Sequence, residues 1–449
     1  MEIKGKKISI IGAVRSGLGA AKLAKNLGAF PFVSDAAEKE KIIQWITKLE
    51  EEGIAYECGG HTEKVFDCEL IVTSPGVPSD SQVLTEALKR KIKVISEVEF
   101  ASWFCKGKVI AITGTNGKTT TTSLMAHTLN ECGIKTYLAG NIGKAFSEVA
   151  LSVQKDEFVA LETSSFQLDF MDKFKPFFSV ILNITPDHLD RYENSFEKYI
   201  ASKIKITENQ NEDDFFLFNA DDNLTFSTMK NSKVQKLSFS LKNEVPVGAY
   251  LKKEKMIFAW FGKTEEVASA YDLFIKGEHN VANALAVLAV TKTLNLPNKK
   301  IRESFNSFKG VEHRIEFVRE LDGVEYYNDS KATNVDSVVV ALKSFNKPIY
   351  LILGGKDKGN NYDQIRDLVK EHVVKIYAIG VSAQKVKNYF EQIVETEIKN
   401  SLESCVTAAR EEAKPGSVLL LSPACASFDM FTDYEHRGRV FKEAVNRLE

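Results

Sequence analysis

Short runs of β-branched and apolar residues alternate with helix-length segments through most of the chain. That pattern belongs to parallel sheets with crossover helices, an α/β protein, and not to an all-β or all-α one. The first unit runs from Lys7-Ile8-Ser9-Ile10-Ile11 through Gly12 and Gly17 into a helix predicted over about 18–27, then a strand over 30–34 that ends at Asp35. A further strand, Leu70 to Thr73, stops at Ser74-Pro75-Gly76. After Ile95 the chain restarts with a strand at Lys108 to Thr113, a glycine loop and a helix, which sets a boundary near residue 96. Between about 231 and 275, alternating runs such as Val234 to Phe239 and Met256 to Phe261 predict an antiparallel meander, a small side sheet. An alanine-rich helix over 281–293 follows, and beyond Phe308-Lys309-Gly310 a fresh α/β series has strands near 349–353, 375–379 and 417–421. The expected domains are therefore 1–96, 97–310 and 311–449, with no internal repeat or low-complexity tract.

Composition narrows the function classes. At 449 residues the chain is long enough for several cores. Lys plus Arg number 59 against 61 Asp plus Glu, a net charge of -2, so there is no general attraction for a polyanion and nucleic acid is not expected as a partner. Apolar runs such as Val418 to Leu421 are far too short to span a bilayer. The start of the chain puts lysines directly before a strand, without an export signal. Six cysteines (58, 68, 105, 132, 405, 425) include no Cys-x-x-Cys pair, which fits reduced thiols in a cytoplasmic protein and implies no zinc or disulfide framework.

The strongest local signal is Thr113-Gly114-Thr115-Asn116-Gly117-Lys118-Thr119-Thr120, directly after an apolar strand and opening a helix. Small residues let backbone N–H groups close around phosphate oxygens, Lys118 can reach the β and γ phosphates, and the Thr119 hydroxyl can ligate Mg²⁺. Ile112 stands where the generic pattern has its first glycine. The Gly12-x4-Gly17 turn with Asp35 at the end of the next strand suits a nucleotide diphosphate, or equally a purely structural turn. Glu162-Thr163-Ser164-Ser165-Phe166-Gln167-Leu168 and Asp187-His188-Leu189-Asp190-Arg191 offer oxygen and imidazole groups at strand ends, where a carboxylate beside a phosphate loop commonly holds Mg²⁺. Read alone, Glu162 fits the neighbour of a helix cap as well, and His188 a structural histidine. Asn280 and Asn283 share one helix face and could read a base edge; capping and packing explain them equally.

In the last region Arg314, after His313, suits a γ-phosphate. Asn328 to Asn334, the turn Gly354 to Gly359, and Ser422 to Asp429 each follow a strand, at the usual ligand edge of an open α/β sheet. Lysine, hydroxyls and loop N–H groups gathered there suit a small dicarboxylate. His61, His127, His372 and His436 belong to no constellation and read as structural or solvated.

In order from residue 10 to residue 440, these motifs closely resemble the Mur ligases of peptidoglycan synthesis. The phosphate loop and His279-Asn280 are common to the family and to folylpolyglutamate synthases. Ser164 to Leu168, Asn328 to Asn334 and Ser422 to Ser427 resemble the branch that adds D-glutamate to UDP-N-acetylmuramoyl-L-alanine. The resemblance implies an N-terminal Rossmann-like domain for the UDP moiety, a central P-loop ATPase-like domain with the side sheet, and a C-terminal Rossmann-like domain for the amino acid. It implies ATP, two Mg²⁺ sites and no obligate protein partner. It also implies a carbamylated lysine at Lys203, which by its sequence surroundings alone is an ordinary helix lysine.

Carried over residue by residue, Gly114, Thr115, Asn116, Gly117, Lys118, Thr119 and Thr120 would bind the phosphates. Asn280 and Asn283 would meet the adenine side, Arg314 the γ-phosphate and Asp329 the ribose. Thr119, Glu162, His188 and carbamylated Lys203 would serve the metals. Arg15, Ser16, Asp35, Gly76 and Asn141 fall at the UDP-sugar positions, and Thr333, Lys358, Ser427 and Tyr434 near the glutamate carboxylates. Ala36 and Ala37 stand after Asp35 where the family offers polar side chains, and Arg15 is larger than the family pattern.

The chemistry that such a family implies follows from amide formation. A carboxylate is a poor electrophile, so it first takes the γ-phosphoryl of ATP, and the amine of D-glutamate then attacks the acyl phosphate. The main rival is a phosphate-loop NTPase acting as a switch or motor, which the third domain argues against. A dinucleotide-binding protein is a second rival that leaves Lys118 and Glu162 unexplained.

Overall fold

A computed structural model of the chain describes residues 2–187, 189–228, 233–357 and 359–449. It forms two compact units, Met1–Leu273 with His279–Asn306, and Phe274–Glu278 with Ser307–Glu449. Three sheets organise them.

The first sheet contains β1 (Lys7–Ile11), β2 (Phe30–Ser34), β3 (Ala55–Glu57), β4 (Leu70–Thr73) and β5 (Lys93–Ser96), all parallel in the order β3-β2-β1-β4-β5. The period of two sorts its side chains. Ile8, Ile10, Val33, Leu70 and Val72 enter one core, while Ile11 and Ile71 enter the core on the opposite face. Chain order reverses between β1 and β4, so the turns after those two strands lie side by side.

The second sheet contains β6 (Lys108–Thr113), β7 (Thr136–Gly140), β8 (Phe158–Glu162), β9 (Phe178–Ile181), β10 (Phe215–Asn219), β11 (Gln235–Ser240), β12 (Val247–Lys252), β13 (Lys255–Trp260) and β14 (Lys263–Ser269). Their order is β14-β13-β12-β11-β10-β9-β6-β8-β7. The run expected as a separate meander instead extends this sheet. The pairs β10–β11 and β11–β12 are parallel, and only β12 to β14 are antiparallel. The core of the first sheet continues without a break into this one, through Phe100, Ala101, Phe146, Val159 and Leu161. Glu99 is a polar anchor at the same junction. Its buried carboxylate accepts the backbone N–H groups of Asp172, Lys173 and Phe174 at 3.1, 2.9 and 2.8 Å and the Trp103 indole at 2.6 Å.

The second unit holds β15 (Glu316–Leu321), β16 (Val324–Asn328), β17 (Ile349–Gly354), β18 (Val373–Ile379), β19 (Glu395–Ile398) and β20 (Val418–Leu421), in the order β15-β16-β20-β17-β18-β19. Only β15 is antiparallel. Ile349, Leu351, Leu353, Val418 and Leu420 face one core, and Tyr350, Ile352, Leu419 and Leu421 face the other. Strands buried on both faces read as continuous apolar runs, which is why Val418-Leu-Leu-Leu forms a central strand. Among the described residues no helix is long and apolar enough to cross a membrane, and all six cysteines are free thiols.

Candidate active site

Strand β6 sits between β8 and β9 and delivers the loop Gly114 to Gly117 at its carboxyl end. Gly117 turns with φ +83°, a backbone conformation that favours glycine, and a Cβ there would lie 2.6 Å from Asn283 Oδ1 and push that side chain aside. Asn183, just past β9, locks the loop in place. Its carbonyl accepts the Thr115 N–H at 3.0 Å, its Oδ1 the Asn116 N–H at 2.8 Å, and its Nδ2 donates to the Asn116 carbonyl at 3.1 Å. Thr115 Oγ1 is held by the Thr185 carbonyl and N–H, each at 3.0 Å, and by the Tyr199 hydroxyl at 3.1 Å. The helix Lys118–Glu131 starts directly after this braced loop, so its unsatisfied N–H groups and positive dipole end face an incoming anion. Thr119 and Thr120 occupy its first turn and are buried.

Lys118 Nζ donates to the carbonyls of Gly114 and Thr115 at 2.9 and 2.8 Å. Lys203, in the helix Phe196–Ile204, is 1% exposed, donates to the Gly114 carbonyl at 3.0 Å and lies 4.6 Å from the centre of the Tyr199 ring. Burial first, and the charge of Lys118 second, hold its amine well below the ordinary lysine value, against weaker pulls from Asp187 and Asp169.

Glu162 closes β8, in register with Ile112 of β6 and Gly140 of β7. It is 2% exposed, its Oε1 accepts Asn141 Nδ2 at 3.0 Å, and its Oε2 has no hydrogen-bond partner. A buried carboxylate oxygen left unpaired beside a phosphate loop is the donor a hard divalent cation takes, so the residues fit Mg²⁺. Among the described residues no three His, Cys, Asp or Glu side chains gather as a metal cage. The cap of the following short helix is Ser164, reciprocated by Gln167, so Glu162 is spared that task. His188 lies outside the described residues.

Helix Glu278–Thr293 presents Asn283, buried, with its Nδ2 3.3 Å from Asn280 Oδ1. At the edge of the first sheet, Asp35 accepts the N–H groups of Ala13 and Ala37 at 2.7 and 2.8 Å, bracing the turn after β1. That turn is tight: a Cβ on Gly17 would lie 1.7 Å from the Gly12 carbonyl oxygen. Arg15 and Ser16 open the helix Arg15–Asn26, and Arg15 Nη1 donates to the Gly143 carbonyl at 3.3 Å. Gly76 lies in the open loop after β4, where a Cβ would meet nothing within 4 Å. Arg191 donates to the carbonyls of Pro75 and Val77 at 3.4 and 3.2 Å and stacks 4.3 Å from the Phe166 ring centre, so it links the loop after β4 to two motifs of the central region.

In the second unit the loops after β16, β20 and β17 lie on three adjacent strands. Asp329 is buried; its Oδ2 accepts the Ser422 hydroxyl at 2.7 Å and its Oδ1 the Ile315 N–H at 3.2 Å. Burial pushes its carboxyl up to about 7, against the opposing Ser422 hydrogen bond and the Arg314 charge. Arg314 Nε is buried without a partner, a donor left for a ligand. His313, at φ +64°, has its Nδ1 2.9 Å from Asn328 Nδ2, which donates to it, and burial lowers its basicity.

Sequence reading missed Arg437. Fully buried, it donates through Nε to Ser330 Oγ at 2.9 Å, through Nη1 to the Cys425 carbonyl at 3.0 Å and through Nη2 to the Ser330 carbonyl at 2.7 Å. It therefore ties the loop after β16 to the loop after β20. Ser427 is buried in the latter; Thr333 is half-buried in the former; the Tyr434 ring lies 5.7 Å from Lys331 Nζ. Lys358 lies outside the described residues. Asn183 and Arg437 had one available signal: each is a polar residue near the carboxyl end of a strand or the start of the helix packed beside a motif loop.

Residues 7–83 match the MurD N-terminal domain, 112–291 the Mur ligase middle domain, and 313–425 the Mur ligase glutamate ligase domain. The chain is 44% identical to a "UDP-N-acetylmuramoylalanine--D-glutamate ligase" of Koribacter versatilis, over 100% of this chain and 99% of that one. It is 45% identical to a protein of the same name from Christiangramia forsetii, over 99% and 100%. Among solved structures it is similar in fold to a UDP-N-acetylmuramate-alanine ligase from Thermotoga maritima, with a TM-score of 0.63 at 20% identity over 98% of this chain and 99% of that one. A MurF ligase from Thermotoga maritima in complex with ADP gives a TM-score of 0.58 at 16% identity over 93% and 95%.

Proposed function

The chain belongs to the Mur ligase family, ATP-dependent amide ligases of peptidoglycan synthesis, and we propose that it joins D-glutamate to UDP-N-acetylmuramoyl-L-alanine in the cytoplasm. The observation that carries this reading is a braced phosphate loop with a buried, unpaired Glu162 oxygen on the next strand, in a chain similar over its full length to D-glutamate ligases.

The substrate carboxylate attacks the γ-phosphorus of ATP; the bond to the β,γ-bridging oxygen breaks and ADP leaves. The D-glutamate amine then attacks the acyl carbon, losing a proton, and phosphate leaves. Lys118 and the loop N–H groups of Gly114 and Gly117 hold the phosphates and offset their growing charge, while Thr115 and Asn116, whose N–H groups Asn183 engages, shape the loop. Thr119, Glu162, His188 and Lys203 would hold Mg²⁺, which supplies charge neutralisation on the transferring phosphoryl group. Lys203 suits carbamylation: a buried amine depleted of its proton adds to CO₂, forming an N–C bond and releasing a proton, and becomes an anion. Thr120, Asn280 and Asn283 line the nucleotide side; Arg314 would meet the γ-phosphate and Asp329 the ribose. Arg15, Ser16, Asp35, Gly76 and Asn141 would receive the UDP-sugar, Asp35 chiefly by shaping its turn. Thr333, Lys358, Ser427 and Tyr434 would receive the glutamate carboxylates.

The test is phosphate release with ATP, Mg²⁺ and UDP-N-acetylmuramoyl-L-alanine against a panel of D- and L-amino acids. Release dependent on D-glutamate is expected. Robust ATP hydrolysis without either co-substrate would replace the ligase reading with that of an NTPase.

A further inference from the structure

Glu97 begins the short helix Glu97–Ser102 after β5 and is 1% exposed, yet it belongs to none of the motifs above. Its Oε1 accepts the Ser147 N–H at 2.6 Å, at the start of the helix Phe146–Val149. Its Oε2 and the Ser147 hydroxyl are both buried without hydrogen-bond partners. The helix Arg15–Asn26 packs against the same point: a Cβ on Gly19 would lie 2.6 Å from Ser147 Oγ and 3.2 Å from Ala145 Cβ.

What precedes Ser147 gives this anchor its meaning. The Gly140 N–H donates to the Lys144 carbonyl at 2.9 Å, closing residues 140–144 into a tight loop after β7. From that loop the Asn141 N–H reaches the Glu162 carbonyl and Asn141 Nδ2 reaches Glu162 Oε1, each at 3.0 Å. The Gly143 carbonyl accepts from Arg15. One short segment thus touches the metal-site carboxylate and the turn of the first sheet, and its far end is tied to Glu97.

We propose that Glu97 is a positioning residue for the ligase reaction, setting the loop 141–147 so that Asn141 meets Glu162 and Gly143 meets Arg15. This rests on the ligase reading for the identity of the substrate. A buried carboxyl is a costly way to satisfy one N–H, and burial pushes this one up to about 7. Its neutral form costs less to bury and still accepts the Ser147 N–H. The apolar neighbour Phe146 cannot fix the loop in this way, because a packed ring restrains position but not the direction of an N–H.

The experiment compares Glu97→Gln, Glu97→Asp and Glu97→Ala with the wild type, measuring KM for UDP-N-acetylmuramoyl-L-alanine and for ATP. Glu97→Ala is expected to raise the first about tenfold, the effect of stranding one buried donor, and to leave the second within about twofold. Glu97→Gln keeps the acceptor for the Ser147 N–H without a charge to bury, so it should stay near the wild type. Glu97→Asp, whose carboxylate is withdrawn by one methylene, should lie between, and it serves if the alanine variant does not fold. Amide hydrogen exchange at Gly140 and Asn141, measured on the same proteins, should accelerate in Glu97→Ala and not in Glu97→Gln. An unchanged KM for the UDP-substrate, an ATP KM rising in step with it, or a glutamine variant as poor as alanine would overturn the proposal. A wild type without D-glutamate-dependent turnover would fail the ligase reading instead, and the exchange data alone would then decide whether Glu97 sets the loop.

Discussion

Lys118 and Lys203 donate to the same carbonyl oxygen, that of Gly114, at 2.9 and 3.0 Å. Two ammonium groups on one acceptor repel each other, and that repulsion adds to burial in holding the Lys203 amine well below the ordinary lysine value. The Gly114 carbonyl thus brings a buried lysine with a weakened hold on its proton beside the loop's own lysine. Under the ligase reading the pair would divide two tasks, phosphate binding and CO₂ capture, between side chains of the same type.

The first prediction follows from that division. Lys203→Ala should be nearly inactive, with activity partly restored by acetate or formate in place of carbamate oxygens. Lys205→Ala is the control, because Lys205 Nζ donates instead to the Asp169 carbonyl at 3.0 Å. Steady-state assays with and without the small acids, and the intact mass of Lys203, check this; a fully active, unmodified protein would refute the carbamate.

Glu162→Gln and Lys118→Ala should each lower turnover roughly 100-fold or more, since each removes one charge from the transition state. Thermal unfolding of Glu162→Gln should stay close to that of the wild type, whereas Lys118→Ala also gives up its bonds to the Gly114 and Thr115 carbonyls. Glu162 Oε2 makes no hydrogen bond that the glutamine variant would lose, so activity and stability separate in the two measurements.

Asp329 gives a pH prediction. Its folded value of about 7 lies above the ordinary value of about 4, so the folded state holds the proton that the unfolded chain releases. Its contribution to stability is fully present below about pH 4, declines as pH rises toward 7 and is lost above it. Melting temperatures between pH 4 and 8 should therefore fall less steeply in Asp329→Asn than in the wild type. An identical slope would show that this carboxyl ionises normally.

Arg437→Met should cost about 3 kcal/mol, because the carbonyls of Ser330 and Cys425 lose their donor inside a closed core. Arg437→Lys should rescue little, since one ammonium cannot span the three acceptors that the planar fork serves. Denaturant unfolding measures both variants, and KM for D-glutamate should rise in each as the two loops part.

Elements buried on both faces were legible because their apolar runs are continuous: β4 and β6 begin and end where the sequence places them, and β20 begins one residue later, at Val418. The helix after β1 starts at Arg15 and not near 18, since glycines within it read as turn. Alternation found β11 and β13 as strands within the 231–275 stretch but carries no information on which sheet they join or which neighbour is parallel. In the site, contiguous motifs were visible and distant pairings were not. Asn183 on Asn116, Glu97 on Ser147 and Arg437 on Ser330 each link separate stretches of chain, and no local period records such a contact. Lys203 looks solvated in sequence because lysine usually is; only the packing of its helix against the loop reveals its burial.

The nine-stranded sheet ends in β14, whose first four residues, Lys263-Thr264-Glu265-Glu266, are all exposed. An open strand edge is a template onto which another chain can lay its own backbone; here Asn298 and Arg302 donate to the carbonyls of Glu266 and Val267 at 3.4 and 3.1 Å, and three charges of mixed sign in four positions make such docking electrostatically poor. The sheet thus carries its own stop signal on this flank. Replacing those charges with valine and threonine would be expected to convert a dispersed enzyme into one that forms fibrils or precipitates from concentrated solution, without any change in the chemistry at the far strands of the same sheet.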